Sequence, residues 1–206
     1  MFQTTPVSKP FLGMRKVFHV FSSSVVPLFY WFLPFFPTAA EGRAFILIVL
    51  SVALVLFVLF DGLRLLYPPF NRYVMRHFSL LIRQSEEKRF TGATFTCLSF
   101  WVVVFFFSRE IAVTGMLFLS LGDTAAEIVG KNWGRKKYFG RSLEGMGGFF
   151  IVAFPLAWMI IQDWRLAFSG AAMGALIEFF SFRIDDNLTV PILSATSIWL
   201  ISQILF

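Results

Sequence analysis

The sequence predicts an all-α, polytopic membrane protein with about seven transmembrane helices, its N-terminus cytoplasmic and its C-terminus outside. Three observations carry this. The 206 residues are 57% hydrophobic, with 29 Phe and only 15% charged residues, which is too apolar for a soluble domain of that length. Apolar runs of about 17 to 25 residues recur along the chain. The cations are sorted between alternate connecting segments. Each span must be helical, because a lipid-exposed strand edge would leave backbone N–H and C=O groups unpaired in hydrocarbon.

The runs lie near 18–40, 44–60, 93–107, 111–129, 147–161, 164–180 and 188–206. No internal repeat or low-complexity segment interrupts them, and residues 1–206 are expected to form a single integral-membrane domain. Before the first run stand Lys9, Arg15 and Lys16, and Thr38-Ala39-Ala40 after it loosely resembles a signal-peptidase site. Pro27, Pro34 and Ser22-Ser23-Ser24 break up the run, and cleavage would spoil the charge alternation, so the segment is read as a span. Between the second and third runs, Pro68 to Phe90 differs in kind. Phe70, Val74, Phe78, Leu81 and Ile82 recur at helical spacing with Arg72, Arg76 and Arg83 interleaved, which predicts an interfacial helix over 68–90 on the cytoplasmic surface. Its simplest role is anchoring on anionic lipid; gating of a substrate is the other. Gly170 and Gly174 in the sixth run are spaced for close helix packing. The single Cys97 excludes an internal disulfide framework and a thiolate metal cluster.

The charges test the alternation. Three cations in the N-terminal tail, six in 61–89, five in 130–146 and Arg183 account for 15 of the 18. Arg43, Arg109 and Arg165 fall in the other set. Cations collect on the cytoplasmic side, which orients the chain and accounts for its basic balance without a nucleic-acid partner.

Chemistry concentrates in the fourth run and the loop after it. Asp123 and Glu127 stand at i and i+4, on one face of a helix near its cytoplasmic end. A membrane carboxylate is costly unless paired, hydrated or protonated, so such acids are usually functional. Two hard oxygens facing a wet cavity suit a divalent cation, Mg²⁺ above all, because it takes few carboxylates and leaves room for phosphate oxygens. Ion pairing within the helix is the structural alternative. Gly130, Gly134 and Gly140 then allow turns, while Lys131, Arg135, Lys136, Lys137 and Arg141 bring positive charge beside the metal position. Metal and cations together suit a polyphosphate, although the loop lacks GxxxxGK[ST] and is no P-loop. Ser142 can cap the next helix, but Ser142 and Glu144 are not at capping-box spacing.

Further polar residues reach the same side. Arg15, Lys16 and His19 enter the first span, Asp61 and Arg64 leave the second, Glu178 lies near the end of the sixth, and Asp185-Asp186-Asn187 follow it. Together they suggest one composite site. Individually His19 reads as an interface residue, Asp61 and Arg64 as a pair, and Asp185-Asp186-Asn187 as a helix cap.

The run GDTAAEIVGKNWGRKKYFGRSLEG, Gly122 to Gly145, resembles the central signature of the membrane-embedded CTP-dependent lipid kinases: dolichol kinase, phytol kinase and the CTP-type diacylglycerol kinase. DDNLTVP, Asp185 to Pro191, resembles their C-terminal signature. Weaker echoes are RKVFH at Arg15–His19, DGLR at Asp61–Arg64 and TGATF at Thr91–Phe95. The resemblance implies a polytopic helical fold, CTP as phosphoryl donor, a divalent cation and a membrane lipid alcohol as acceptor. Carried onto this chain, it makes Asp123, Glu127, Lys131, Arg141, Glu144, Asp185, Asp186 and Asn187 the candidate site. Arg141 stands where the family usually has Lys. The chain is much shorter than dolichol kinases and matches their catalytic core.

The expected reaction is therefore transfer of the γ-phosphoryl group of CTP to a polyprenol, diacylglycerol or phytol type of alcohol, on the cytoplasmic face of a bacterial inner membrane or the endoplasmic reticulum. Metal falls to Asp123, Glu127, Asp185 and Asp186, and the general base to Asp186 or His19. Nucleotide contacts fall to Lys131, Arg135, Lys137, Arg141, Ser142, Glu144 and Asn187. Related phosphatidate cytidylyltransferases share a similar GD…G…G…EG run and also use CTP and Mg²⁺, but DDNLTVP replaces their Lys-Asp-rich signature. A transporter or ion pathway is the alternative of another class, weakened by the scarcity of charge on the far side.

Overall fold

A computed structural model describes residues 14–32, 38–78, 81–135, 137–138, 140–180 and 184–205; Lys9, Lys136 and Arg183 lie outside the described residues. The described chain is helical apart from one short hairpin. In order come α1 (Met14–Trp31), α2 (Ala39–Leu66), α3 (Pro68–His77), α4 (Gly92–Phe106), α5 (Arg109–Leu117), α6 (Asp123–Asn132), β1 (Lys137–Tyr138), β2 (Arg141–Ser142), α7 (Leu143–Ile161), α8 (Trp164–Phe180) and α9 (Asp186–Leu205). Alpha helices α5 and α6 join through a π-helical turn, Phe118–Gly122, so 109–132 is one continuous rod.

Seven helical segments coincide with the seven apolar runs. Four of them are long and apolar enough to cross a membrane: α2, the 109–132 rod, α7 and α9. The rod is the centre of the bundle, with 72% of its apolar window buried, against 17% for α2. Helix α2 is the outermost of these, and its 28 residues reach about 42 Å. Ile48, Val52, Val55 and Leu59 point away from the protein. An exposed apolar face on a helix of this length suits contact with hydrocarbon.

Two cores lie on either side of the rod. One joins α2, α4 and α5 through Leu50, Phe100, Val103, Val113 and Met116. The other joins α7, α8 and α9 through Phe149, Ala153, Ala157, Ala171 and Val190. The small residues of α8 are required by closeness. A Cβ on Gly174 would sit 2.8 Å from the Phe149 ring, and one on Gly170 would sit 2.6 Å from Ile198. This matches the packing role expected of that pair.

The stretch 68–90 is not one helix. Pro68 and Pro69 start α3, whose missing N–H groups cost nothing at a first turn. Past Phe78 the periodicity continues but the helix does not. The reason is tertiary: the buried Arg64 guanidinium donates to the backbone oxygens of Glu86, Glu87 and Arg89 at 3.0, 3.3 and 2.6 Å. Those bonds hold 86–89 against the end of α2 as a 3-10 turn and loop instead of a continuation of α3.

The loop after α6 folds back as a two-residue antiparallel pair, Lys137 opposite Ser142 and Tyr138 opposite Arg141. Gly140 at φ +82 makes its turn, a conformation that favours glycine. This hairpin is the exception to the all-α prediction. It returns the chain so that Ser142 starts α7, its hydroxyl accepting from the Gly145 N–H at 3.0 Å.

Candidate active site

The π turn ends at Gly122, where a Cβ would lie 2.8 Å from the Phe149 ring. The residue must be Gly for α7 to approach the rod at this level. Turns of π helix tend to occur at functional sites, and here the turn hands directly to Asp123, the first residue of α6. Glu127 follows one turn later on the same face, as its spacing requires.

Lys16 of α1 reaches across to both. Its ammonium is buried and pairs with Asp123, and it lies 3.1 Å from Glu127 Oε2. Lys131 pairs with the other oxygen of Glu127 from the solvent side. Beside them, Arg141 at the base of α7 bridges two further helices. Its guanidinium donates to Glu178 of α8 at 2.6 Å and to Asp186 of α9 at 2.7 Å. Burial disfavours the charged form of Arg141, but the fields of Glu178, Asp123 and Asp186 outweigh it and hold its pKa above the ordinary arginine value.

Asp185 caps α9, its Oδ1 accepting from the Asn187 N–H at 3.1 Å and from the Asn187 amide at 2.6 Å. Asn187 is buried, and its carbonyl accepts from Ser99 of α4 at 2.8 Å. Glu144 Oε1 accepts from the Arg135 N–H at 3.3 Å, while its buried Oε2 has no protein partner among the described residues.

Lys16, Asp123, Glu127, Lys131, Arg141, Glu178 and Asp186 are thus drawn into one cluster from α1, α6, the hairpin, α8 and α9. His19 stands one turn from Lys16, on the wall of an adjoining cavity. The remaining candidates sit elsewhere. Arg135 and Lys137 are exposed on the loop, and the Ser142 oxygen is spent on capping. The side chain of Arg15 lies outside the described residues.

Asp61 and Arg64 form a separate knot. Both are fully buried and pair at 2.9 Å. Asp61 Oδ2 accepts from the Thr91 N–H, the Thr91 hydroxyl and the Thr94 hydroxyl at 2.8, 3.0 and 2.6 Å. The pairing reading of these two is the one the geometry bears out. TGATF therefore matters as a set of donors to Asp61. Glu86 escaped the sequence reading altogether: it is buried and accepts from the Arg83 and Gly92 N–H groups, at 2.8 and 3.1 Å. Nothing in a run of charged residues marks the one that turns inward.

Among the described residues, no three His, Cys, Asp or Glu groups form a ready metal cage. The donor set still fits Mg²⁺, which is bound through one or two carboxylates and completes its shell with water and substrate phosphates. The four carboxylates Asp123, Glu127, Glu178 and Asp186 outnumber the three cations paired within the cluster, leaving negative charge for a cation to neutralise.

Buried carboxylates and cations gathered at the ends of membrane-length helices are costly in a membrane protein and are more often kept for function than for packing. The chain is 31% identical over 162 residues to CTP-dependent diacylglycerol kinase 1 of Schizosaccharomyces pombe, covering 68% of this chain and 74% of that protein. It is 26% identical to the protein of the same name from Saccharomyces cerevisiae, over 88% of this chain and 70% of that one. It is also 32% identical to a phytol kinase of Synechocystis, over 56% and 57% of the two chains. No family model and no solved structure matches it. The chain belongs to the CTP-dependent membrane lipid kinases. It is an enzyme that uses CTP to phosphorylate a lipid, which decides against the transporter and cytidylyltransferase alternatives.

Proposed function

We propose that the chain transfers the γ-phosphoryl group of CTP to the hydroxyl of a diacylglycerol-type lipid, with Mg²⁺, at the Lys16–Asp123–Arg141 cluster on the cytoplasmic side of the membrane. The observation that carries this is the convergence itself. Lys16 near the start of the chain meets Asp123 and Glu127, and Arg141 ties the hairpin to α8 and α9. The two strongest sequence signatures and one weak one meet in one place.

In the reaction the lipid oxygen bonds to the γ-phosphorus, the bond from that phosphorus to the β,γ-bridging oxygen breaks, and CDP leaves. The hydroxyl proton passes to His19, which faces the adjoining cavity. Catalysis of this kind rests on positioning and charge neutralisation rather than on covalent chemistry. Lys16, Lys131 and Arg141 are suited to stabilise the transferring phosphoryl group, and Glu144 and Asn187 to orient the nucleotide. Mg²⁺ would be held by Asp123 with Glu127, Asp185 or Asp186 and would supply Lewis-acid neutralisation of the phosphate charge.

Coverage supports the diacylglycerol assignment: relatives with that name match 68% and 88% of the chain, against 56% for the phytol kinase. About seven spans, a cytoplasmic N-terminus and interfacial anchoring by 68–90 complete the reading, on the strength of the cation sorting. In a Cys97→Ser background, Lys137→Cys should resist an impermeant thiol reagent in intact cells and react in inverted vesicles; the reverse pattern inverts the topology.

The chemical test is isotopic. Purified protein should move label from γ-labelled CTP into diacylglycerol in a Mg²⁺-dependent way, faster than into phytol or polyprenol, and should move none from α-labelled CTP. Label arriving from the α position overturns the kinase reading, and a preference for phytol or polyprenol overturns the acceptor.

A further inference from the structure

Next to the carboxylate cluster lies a cavity of about 680 Å³, bounded by α1, α2 and α4 and by the stretch bearing Phe78, Leu81 and Arg83. Its two ends differ in chemistry. One end carries Lys16, His19, Arg83, Glu86 and Asn187, and so opens onto the cluster through Lys16. The rest is mostly apolar, with Leu50, Ala53, Cys97 and Phe100 as its back wall and the hydroxyls of Ser22, Ser23, Thr91 and Thr96 interspersed.

The cavity is long. Its lining residues run from Lys16 to Val26 on α1 and from Val49 to Phe60 on α2, which at the helical rise is about 15 Å. That equals one leaflet, half of the roughly 30 Å hydrocarbon core. It is also open to the side. Helix α1 packs on α5 and the π turn, while α2 packs on α4, so the two part along their length. The exposed side chains of Phe18, Leu56, Phe57, Phe78 and Leu81 line that mouth. A partner helix of about 10 Å diameter and the same length would need about 1,200 Å³. The volume instead lies within the roughly 300–1,000 Å³ typical of small-molecule sites.

We propose that this cavity is the acceptor site: a hydrocarbon chain of the lipid alcohol enters from the bilayer between α1 and α2, lies against Leu50, Cys97 and Phe100, and so holds the hydroxyl at the Lys16–His19 end. The proposal rests on the kinase reading of the cluster, and it adds where the lipid binds and what selects it. Chain length and branching are read by Ala53 and Phe100, whereas the nucleotide is bound on the other side of Lys16.

Two measurements test it. Ala53→Trp fills the middle of the cavity, and Val55→Trp places the same ring on the lipid-facing side of α2, outside it. With dioleoylglycerol, Ala53→Trp should lose at least tenfold in kcat/KM with its KM for CTP unchanged, and should lose less with dioctanoylglycerol; Val55→Trp should match the parent protein. Independently, a diacylglycerol with a diazirine in its chain should crosslink to Leu50, Cys97 or Phe100 in the unmodified protein, suppressed by excess unlabelled diacylglycerol, unlike crosslinks to Val52 and Val55. Equal kinetics of the two variants, or back-wall crosslinks that are absent or not competed, overturn the cavity. An unmodified protein that moves no label from γ-labelled CTP into any lipid sinks the kinase reading instead, and the crosslinks still decide whether the cavity binds lipid.

Discussion

Asp61 and Asp123 each lie on an apolar helix, each is buried, and each is paired with a cation, yet their surroundings are built differently. Asp61 is closed: Arg64 comes from the same helix one turn away, and three donors from Thr91 and Thr94 fill its other oxygen. Arg64 in turn holds three backbone carbonyls and Asn71. Asp123 pairs, among the described residues, with one lysine from another helix, beside a second carboxylate and an arginine that bridges two more. A buried charge that is fully satisfied by rigid neighbours rigidifies a fold. One held by a long, exchangeable cation keeps the capacity to accept a substrate or a metal.

The largest expected effect is on Asp123. Asp123→Asn keeps the shape and removes the charge, and should lower kcat by roughly a hundred- to a thousandfold or more while the protein stays folded. Turnover and Mg²⁺ dependence close to normal in that variant would remove Asp123 from the site and erase the contrast. Asp61→Asn should do the opposite. It leaves Arg64 buried without its counter-charge, costing about 3–5 kcal/mol, seen as a lower unfolding temperature in detergent. The fraction that folds should turn over at nearly the normal rate; a stable but inactive Asp61→Asn would place Asp61 in the chemistry. The smallest effect sharpens the comparison. Arg141→Lys keeps one charge but loses the fork that spans Glu178 and Asp186, and should cost about tenfold in kcat/KM, or about 1.4 kcal/mol. An effect as large as that of Asp123→Asn would make the bidentate geometry essential.

Much of this was legible residue by residue. The i, i+4 spacing placed Asp123 and Glu127 on one face, and Lys16 pairs with both. Ser142 was expected as a cap and is one. The interfacial periodicity of 68–90 misled at its second half, where the chain past Phe78 is tied to Arg64 through the carbonyls of Glu86, Glu87 and Arg89 and forms a short 3-10 turn. Arg141 was expected for its charge, but its bridge between α8 and α9 depends on a hairpin of two residues a side. The π turn left no mark in the sequence beyond Gly122.

By itself the sequence determined the membrane class, the helical segments and the residue types of the candidate site. These follow from local quantities: transfer of apolar side chains out of water, the need to pair every backbone group in hydrocarbon, and the 3.6-residue period. Only the tertiary structure decided which buried acid is closed off by its own helix and two threonines and which shares a lysine with a second carboxylate, and that a leaflet-deep cavity opens beside Lys16. Those depend on contacts between residues about 30 to more than 100 positions apart, such as Asp61 with Thr91 and Lys16 with Asp123. Local propensity carries no information about partners so distant in the chain; the packing of whole helices brings them together.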